Sequence, residues 1–122
     1  MNLLERLQPN AFVDDEPVGI AAVKASELPG PLIDDRWAYI PEPIWRRLLS
    51  LGNAYKLHFS QIAEPIIDTV LDPKQCQSLC DELEFLRDVV ADPAAHFAID
   101  TIISKAAVVS RDSSLRLVVS PP

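Results

Sequence analysis

From Asp72 onward the apolar positions recur at helical spacing: Cys76, Leu79, Cys80, Leu83, Leu86 and Val90 alternate with Gln77, Ser78, Asp81, Glu84 and Asp88. A period near 3.6 places the first set on one side of a helix and the second on the other. Asp72-Pro73 supplies the start, since aspartate accepts from the free amides of a first turn and proline is tolerated there. Gln75 completes a variant capping box with Asp72. The spacing predicts a helix over 73–91. Asp92-Pro93 repeats the signal, and Ala95, Ala98, Ile99, Ile102, Ala106 and Val109 predict a second helix over 93–109. Ile103, Ala107 and Val108 widen its apolar side, so it should be the more buried of the two. The short link from Ala91 to Pro93 predicts an antiparallel hairpin. Arg111-Asp112-Ser113-Ser114 then looks like a turn, Leu115 to Val119 like a short strand, and Pro121-Pro122 like its stop.

The preceding half alternates differently. Pro41-Glu42-Pro43 opens a helix running to Leu51, with Ile44, Leu48 and Leu51 on one face and Gly52 as the stop. Tyr55, Leu57 and Phe59 alternate with Lys56, His58 and Ser60, the period of a strand with one buried face. Val18 to Val23 and Arg36 to Ile40 are further strands, joined through a loop at Leu28-Pro29-Gly30-Pro31. Residues 61–71 carry conflicting signals. Pro65 would interrupt a helix, and the β-branched Ile66, Ile67, Thr69 and Val70 favour extended chain.

These elements predict an α+β fold: a small antiparallel or mixed sheet packed by about three helices, with the C-terminal helical hairpin (73–91 and 93–109) followed by a short strand. At 122 residues, the expectation is one globular domain spanning 1–122. Eleven prolines against three glycines favour stiff connections. The only cysteines are Cys76 and Cys80, which excludes a framework of disulfides. The first nine residues interrupt their apolar positions with charge and proline, unlike a signal peptide. No apolar run approaches the roughly 20 residues of a membrane helix. A cytoplasmic protein is expected.

Charge sharpens the picture. The net charge is −7. Between Glu64 and Asp100 nine acids (Glu64, Asp68, Asp72, Asp81, Glu82, Glu84, Asp88, Asp92 and Asp100) face two bases, Lys74 and Arg87, so that window carries 2 − 9 = −7. Acids and bases elsewhere cancel. The bland reading makes these acids a solvated face, with Asp72 and Asp92 as caps and Glu84–Arg87 as an ordinary i,i+3 pair. The sharper reading makes Asp81, Glu82, Glu84 and Asp88 a docking face for a basic partner. Direct nucleic-acid binding is disfavoured, because Arg46-Arg47 is the only adjacent basic pair and falls on the polar side of its helix.

Other residues invite chemistry less strongly. Cys76, Cys80, His58 and His96 have the donor set of a zinc site, but both cysteines fall on the apolar stripe, where cysteine acts as a small hydrophobe. His96 and Asp100 are one helical turn apart and lack an obvious nucleophile. Asp14-Asp15-Glu16 and Asp34-Asp35 have no phosphate-binding loop beside them. Trp37, Tyr39 and Trp45 bracket two prolines; core packing is their first reading and a partner anchor their second. No catalytic residue, metal ligand or cofactor is therefore expected.

The function expected is that of a non-enzymatic protein-binding domain that neutralises or regulates a partner, as an immunity protein or antitoxin covers a toxin-like or nuclease-like active site. Its contact residues would be Asp81, Glu82, Glu84 and Asp88, with Trp37 and Trp45 as anchors. Two alternatives stand beside it: a structural or adaptor subunit, perhaps homodimeric, and a small enzyme drawing on His58, His96 and nearby carboxylates.

Overall fold

The computed structural model describes residues 17–27, 37–61 and 68–120. The loop expected at Leu28-Pro29-Gly30-Pro31, the acids at Asp14-Asp15-Glu16 and Asp34-Asp35, residues 62–67, and the stop at Pro121-Pro122 lie outside the described residues.

Among the described residues, four strands form one antiparallel sheet: β1 (Pro17–Lys24), β2 (Trp37–Pro41), β3 (Thr69–Leu71) and β4 (Leu115–Ser120). Their spatial order is β2-β1-β4-β3. Among the described residues, three α-helices accompany them: α1 (Glu42–Ala54), α2 (Pro73–Val89) and α3 (Pro93–Ser110). Short 3₁₀ turns follow β1 (Ala25–Glu27) and α1 (His58–Gln61). The α+β architecture, with a helical hairpin leading into a last strand, is the one the sequence pattern predicts.

The composition of each strand suits its place in the sheet. β1 carries apolar residues at almost every position, and it sits inside the sheet between β2 and β4. Val18 and Ile20 point into the layer of helices, whereas Ala21 and Val23 join Val118 in a smaller cluster on the reverse face. Burial on both faces explains why the run does not alternate. The edge positions go to β2, which ends in Pro41, and to β3, only three residues long; short strands and prolines belong at edges. Gly19 faces Tyr39 in the register, and a Cβ there would stand 2.9 Å from Cε3 of Trp37. Only glycine lets that indole lie across β1.

The main core lies between the sheet and the helices. Ile20, Ile40, Leu117 and Val119 meet Ile44 and Leu48 of α1, Leu83 and Leu86 of α2, and Ile99 and Ile102 of α3. α3 is the central helix, contacting α1, α2 and three strands. Ala94, Ala95, Ala98 and Ala106 are all fully buried, and these short side chains let the neighbouring elements approach closely. The expectation that α3 is the more buried partner of the hairpin holds.

The region after α1 differs from the strand expected over Tyr55–Phe59. Lys56 takes a left-handed conformation with φ 59°. Its amide donates to the carbonyl of Asn53 at 3.1 Å, and the amide of Leu57 donates to the carbonyl of Gly52 at 2.8 Å. That pair of bonds is a Schellman ending with lysine where glycine is usual. Gly52, expected as the stop, is instead inside α1: a Cβ there would come 2.7 Å from Cζ of Phe59. Its role is to admit the Phe59 ring, which is buried in the core. Alternation across Tyr55, Leu57 and Phe59 thus arises from a helix ending and a 3₁₀ turn, not from a pleat.

Candidate protein-binding surface

α2 is held at its start by the expected capping box. Asp72 Oδ1 accepts from the Gln75 amide at 2.8 Å, and Gln75 Oε1 accepts from the Asp72 amide at 2.9 Å. Its apolar stripe, Cys76, Leu79, Cys80, Leu83 and Leu86, is buried. Everything opposite that stripe faces away from the core, and at 100° per residue it divides into two parallel ridges.

Asp81, Glu84 and Asp88 form the first ridge. All three are exposed, and none has a cationic partner among the described residues. Asp81 accepts only from the Gln77 side chain, at 3.1 Å. The bases of α2 are Lys74, two turns before Asp81, and Arg87, which pairs with Asp100, so the ridge keeps a net negative charge. Phe85 and Val89 form the second ridge, one turn apart. They rank among the few large apolar side chains left exposed, at 47% and 45%. Tyr55, the residue that caps α1, meets Phe85 edge to face with ring centroids 5.9 Å apart. Phe85 and Val89 were not expected as functional residues. The available signal was their position opposite the apolar stripe, where an aromatic gains nothing from the core.

Other described acids of that window are engaged within the fold. Glu82 turns inward: Oε2 accepts from the His58 amide at 2.7 Å and Oε1 from the Phe59 amide at 3.0 Å, with the His58 ring 3.2 Å away. This carboxylate fixes the 3₁₀ turn onto α2 and is not available as a contact in the way Asp81 is. Arg87 pairs with Asp100 of α3 at 3.2 Å, not with Glu84 as expected. Asp92, 3% exposed, accepts from the amides of Ala94 and Ala95 and pairs with Arg47 of α1. Arg47, expected on a solvated face, therefore ties α1 to the start of α3. Arg46 pairs with Glu42 one turn earlier.

The tryptophans lie elsewhere. Trp45 is 5% exposed within the main core, which leaves it no surface to offer a partner. Trp37 is half-buried on the reverse face of the sheet against Ala21, Val23 and Val118, with its indole N–H unpaired. Neither joins the α2 ridges.

The residues weighed for chemistry are dispersed as well. Cys76 and Cys80 are free and buried. Burial pushes the Cys76 thiol up to about 12, helped by Cys80 and Asp72, and burial also raises Cys80, helped by Glu84 and Asp81. Both are held as thiols, the poorer form for binding metal. Among the described residues, no group of histidine, cysteine and carboxylate side chains is arranged to hold a metal ion. The ring of His96 contacts the carbonyl of Val90 and not Asp100, so the one-turn spacing of the two forms no pair. His58 and Glu82 border a cleft of about 170 Å³ that Ser78 also lines. No hydrogen bond joins Ser78 to His58 among the described residues, and the imidazole is 92% exposed.

Among the described residues the geometry defines a class: a four-stranded antiparallel sheet under three helices, one of which shows an acidic ridge beside an apolar one. No family model matches the chain, and no curated protein or solved structure matches it either. Among the described residues, no helix is long and apolar enough to cross a membrane.

Proposed function

We propose that this chain is a non-enzymatic protein-binding domain that neutralises or regulates a basic partner, in the manner of an immunity protein or antitoxin, through the outward side of α2. The carrying observation is that Asp81, Glu84 and Asp88 stand exposed in one ridge without a cationic partner among the described residues. Of the other described acids in that window, Asp72, Glu82, Asp92 and Asp100 are caps or ion pairs within the fold and Asp68 accepts from Ser120, so the ridge is what remains after structural demands are met. Its helix is capped at the start and buried along one side, so the carboxylates are presented in a fixed spacing and little ordering cost accrues on binding. Such a field acts mainly on association rate and on the choice of partner.

The test is affinity capture from the source cells, comparing the native chain with D81K/E84K/D88K. Glu82 is spared because its reversal would release the 3₁₀ turn. A specific partner retained by the native chain and lost by the variant supports the reading. A partner captured equally by both, or no specific partner at all, refutes it.

A further inference from the structure

We infer that the outward side of α2 receives a cationic amphipathic helix, whose apolar residues pack on Phe85, Val89 and Tyr55 while its lysines or arginines meet Asp81, Glu84 and Asp88. The inference rests on the protein-binding reading and names the chemistry of the partner.

Three observations carry it. Phe85 and Val89 lie one turn apart and almost half exposed, so they make a narrow apolar strip along the helix axis and not a round patch. Tyr55 packs edge-on against Phe85 and holds that ring from the side of α1, so the aromatic is presented in one orientation. The acidic ridge runs parallel to the strip, one step round the helix. A strip of this shape suits the i, i+4, i+7 apolar positions of a partner helix, with charge on the flank setting its register. An aromatic anchor bordered by charge is also where binding energy concentrates in interfaces.

Charge decides among occupants. In a symmetric pair of two copies the same patch would meet itself, bringing Asp81, Glu84 and Asp88 against their own equivalents. Like charges so juxtaposed oppose association. Lipid headgroups and nucleic acids present phosphate and are repelled by the same ridge. A cationic helix satisfies both ridges at once.

The probe is a leucine–lysine peptide patterned as an amphipathic helix, carrying a fluorophore for anisotropy, beside a scrambled peptide of identical composition. The patterned peptide should bind about tenfold more tightly than the scrambled one, and Phe85→Ala should remove about that advantage. Val89→Asn provides a second variant, and both should unfold in urea at nearly the native midpoint because neither side chain is in the core. Equal binding of the two peptides, or unchanged affinity in both variants, would overturn the inference. If D81K/E84K/D88K still loses its captured partner while Phe85→Ala does not, the acidic reading survives and this one fails. Self-association in sedimentation equilibrium, or binding to phosphatidylglycerol vesicles, that Phe85→Ala abolishes would assign the strip to another occupant and equally overturn it.

Discussion

Replacing Gly52 by alanine sets two effects of opposite sign against each other. Gly52 lies in the last turns of α1, where alanine is favoured over glycine by about 0.5–1 kcal/mol. The added Cβ would stand 2.7 Å from Cζ of Phe59 and 3.1 Å from both Cε atoms. Phe59 is 2% exposed, and its amide is fixed by Glu82, so the ring has little room to retreat. Overpacking of this kind costs about 1–3 kcal/mol. The balance is a net loss of about 1 kcal/mol for Gly52→Ala, a fall in Tm of about 3–5 °C for a domain of this size. Phe59→Leu shortens the obstructing side chain. In that background Gly52→Ala should stabilise by about 0.5–1 kcal/mol, since only the helix preference is left. The double-mutant cycle therefore predicts a coupling of about 2 kcal/mol and a reversal of sign. Urea unfolding followed by circular dichroism measures all four proteins. Should Gly52→Ala stabilise the native background, or act with the same sign in both, the packing account of this glycine is wrong.

Asp92 separates capping from charge. Asp92→Asn keeps an acceptor for Ala94 and Ala95 but weakens the tie to Arg47, at about 1–2 kcal/mol, whereas Asp92→Ala loses the cap too and should cost about 2–3 kcal/mol in urea unfolding. Glu82→Ala should destabilise by about 1–2 kcal/mol and lower hydrogen-exchange protection at the His58 and Phe59 amides before it does so in α3. The Cys76 thiol rises from 9.0 to about 12 on folding, so the unfolded chain ionises first. Its contribution to stability is complete below about pH 9 and is lost as pH climbs towards 12. Cys76→Ala should flatten the decline in urea midpoint over that interval, and thiol reagents should react with Cys76 only at the rate of global opening.

Much of the helical half was legible because its signals are local. Asp-Pro at 72–73 and 92–93 starts both helices, and the apolar stripe of α2 is the buried one. The N-terminal strands were legible as strands, but their order was not, since β1 finds its partners by tertiary packing over the whole chain. Residues 55–59 imitate a strand because lysine at the left-handed position hides a helix ending that glycine would announce. At the candidate surface, Asp81, Glu84 and Asp88 were found from charge alone. Glu82 looked identical to them, and only the arrival of the His58 and Phe59 amides distinguishes it. Arg47 and Arg87 could not be assigned, because their partners lie on other helices. Phe85 escaped notice because periodicity identifies what a helix buries and is silent on an apolar residue left outside.

The pairing of β1 with β4 bears on how this chain reaches its native state. Lys24 stands opposite Leu115, so joining the two strands closes a loop that takes in all three of the described helices. The α2–α3 hairpin needs only neighbouring residues and can form early, while the sheet waits for the last strand to be synthesised. Until then one side of β1 has no strand to zip onto, and its unpaired N–H and C=O groups are a template for β4 from another nascent chain. Crowded translation should therefore favour strand-exchanged dimers, and slowing synthesis just beyond the α3 codons should make them more abundant.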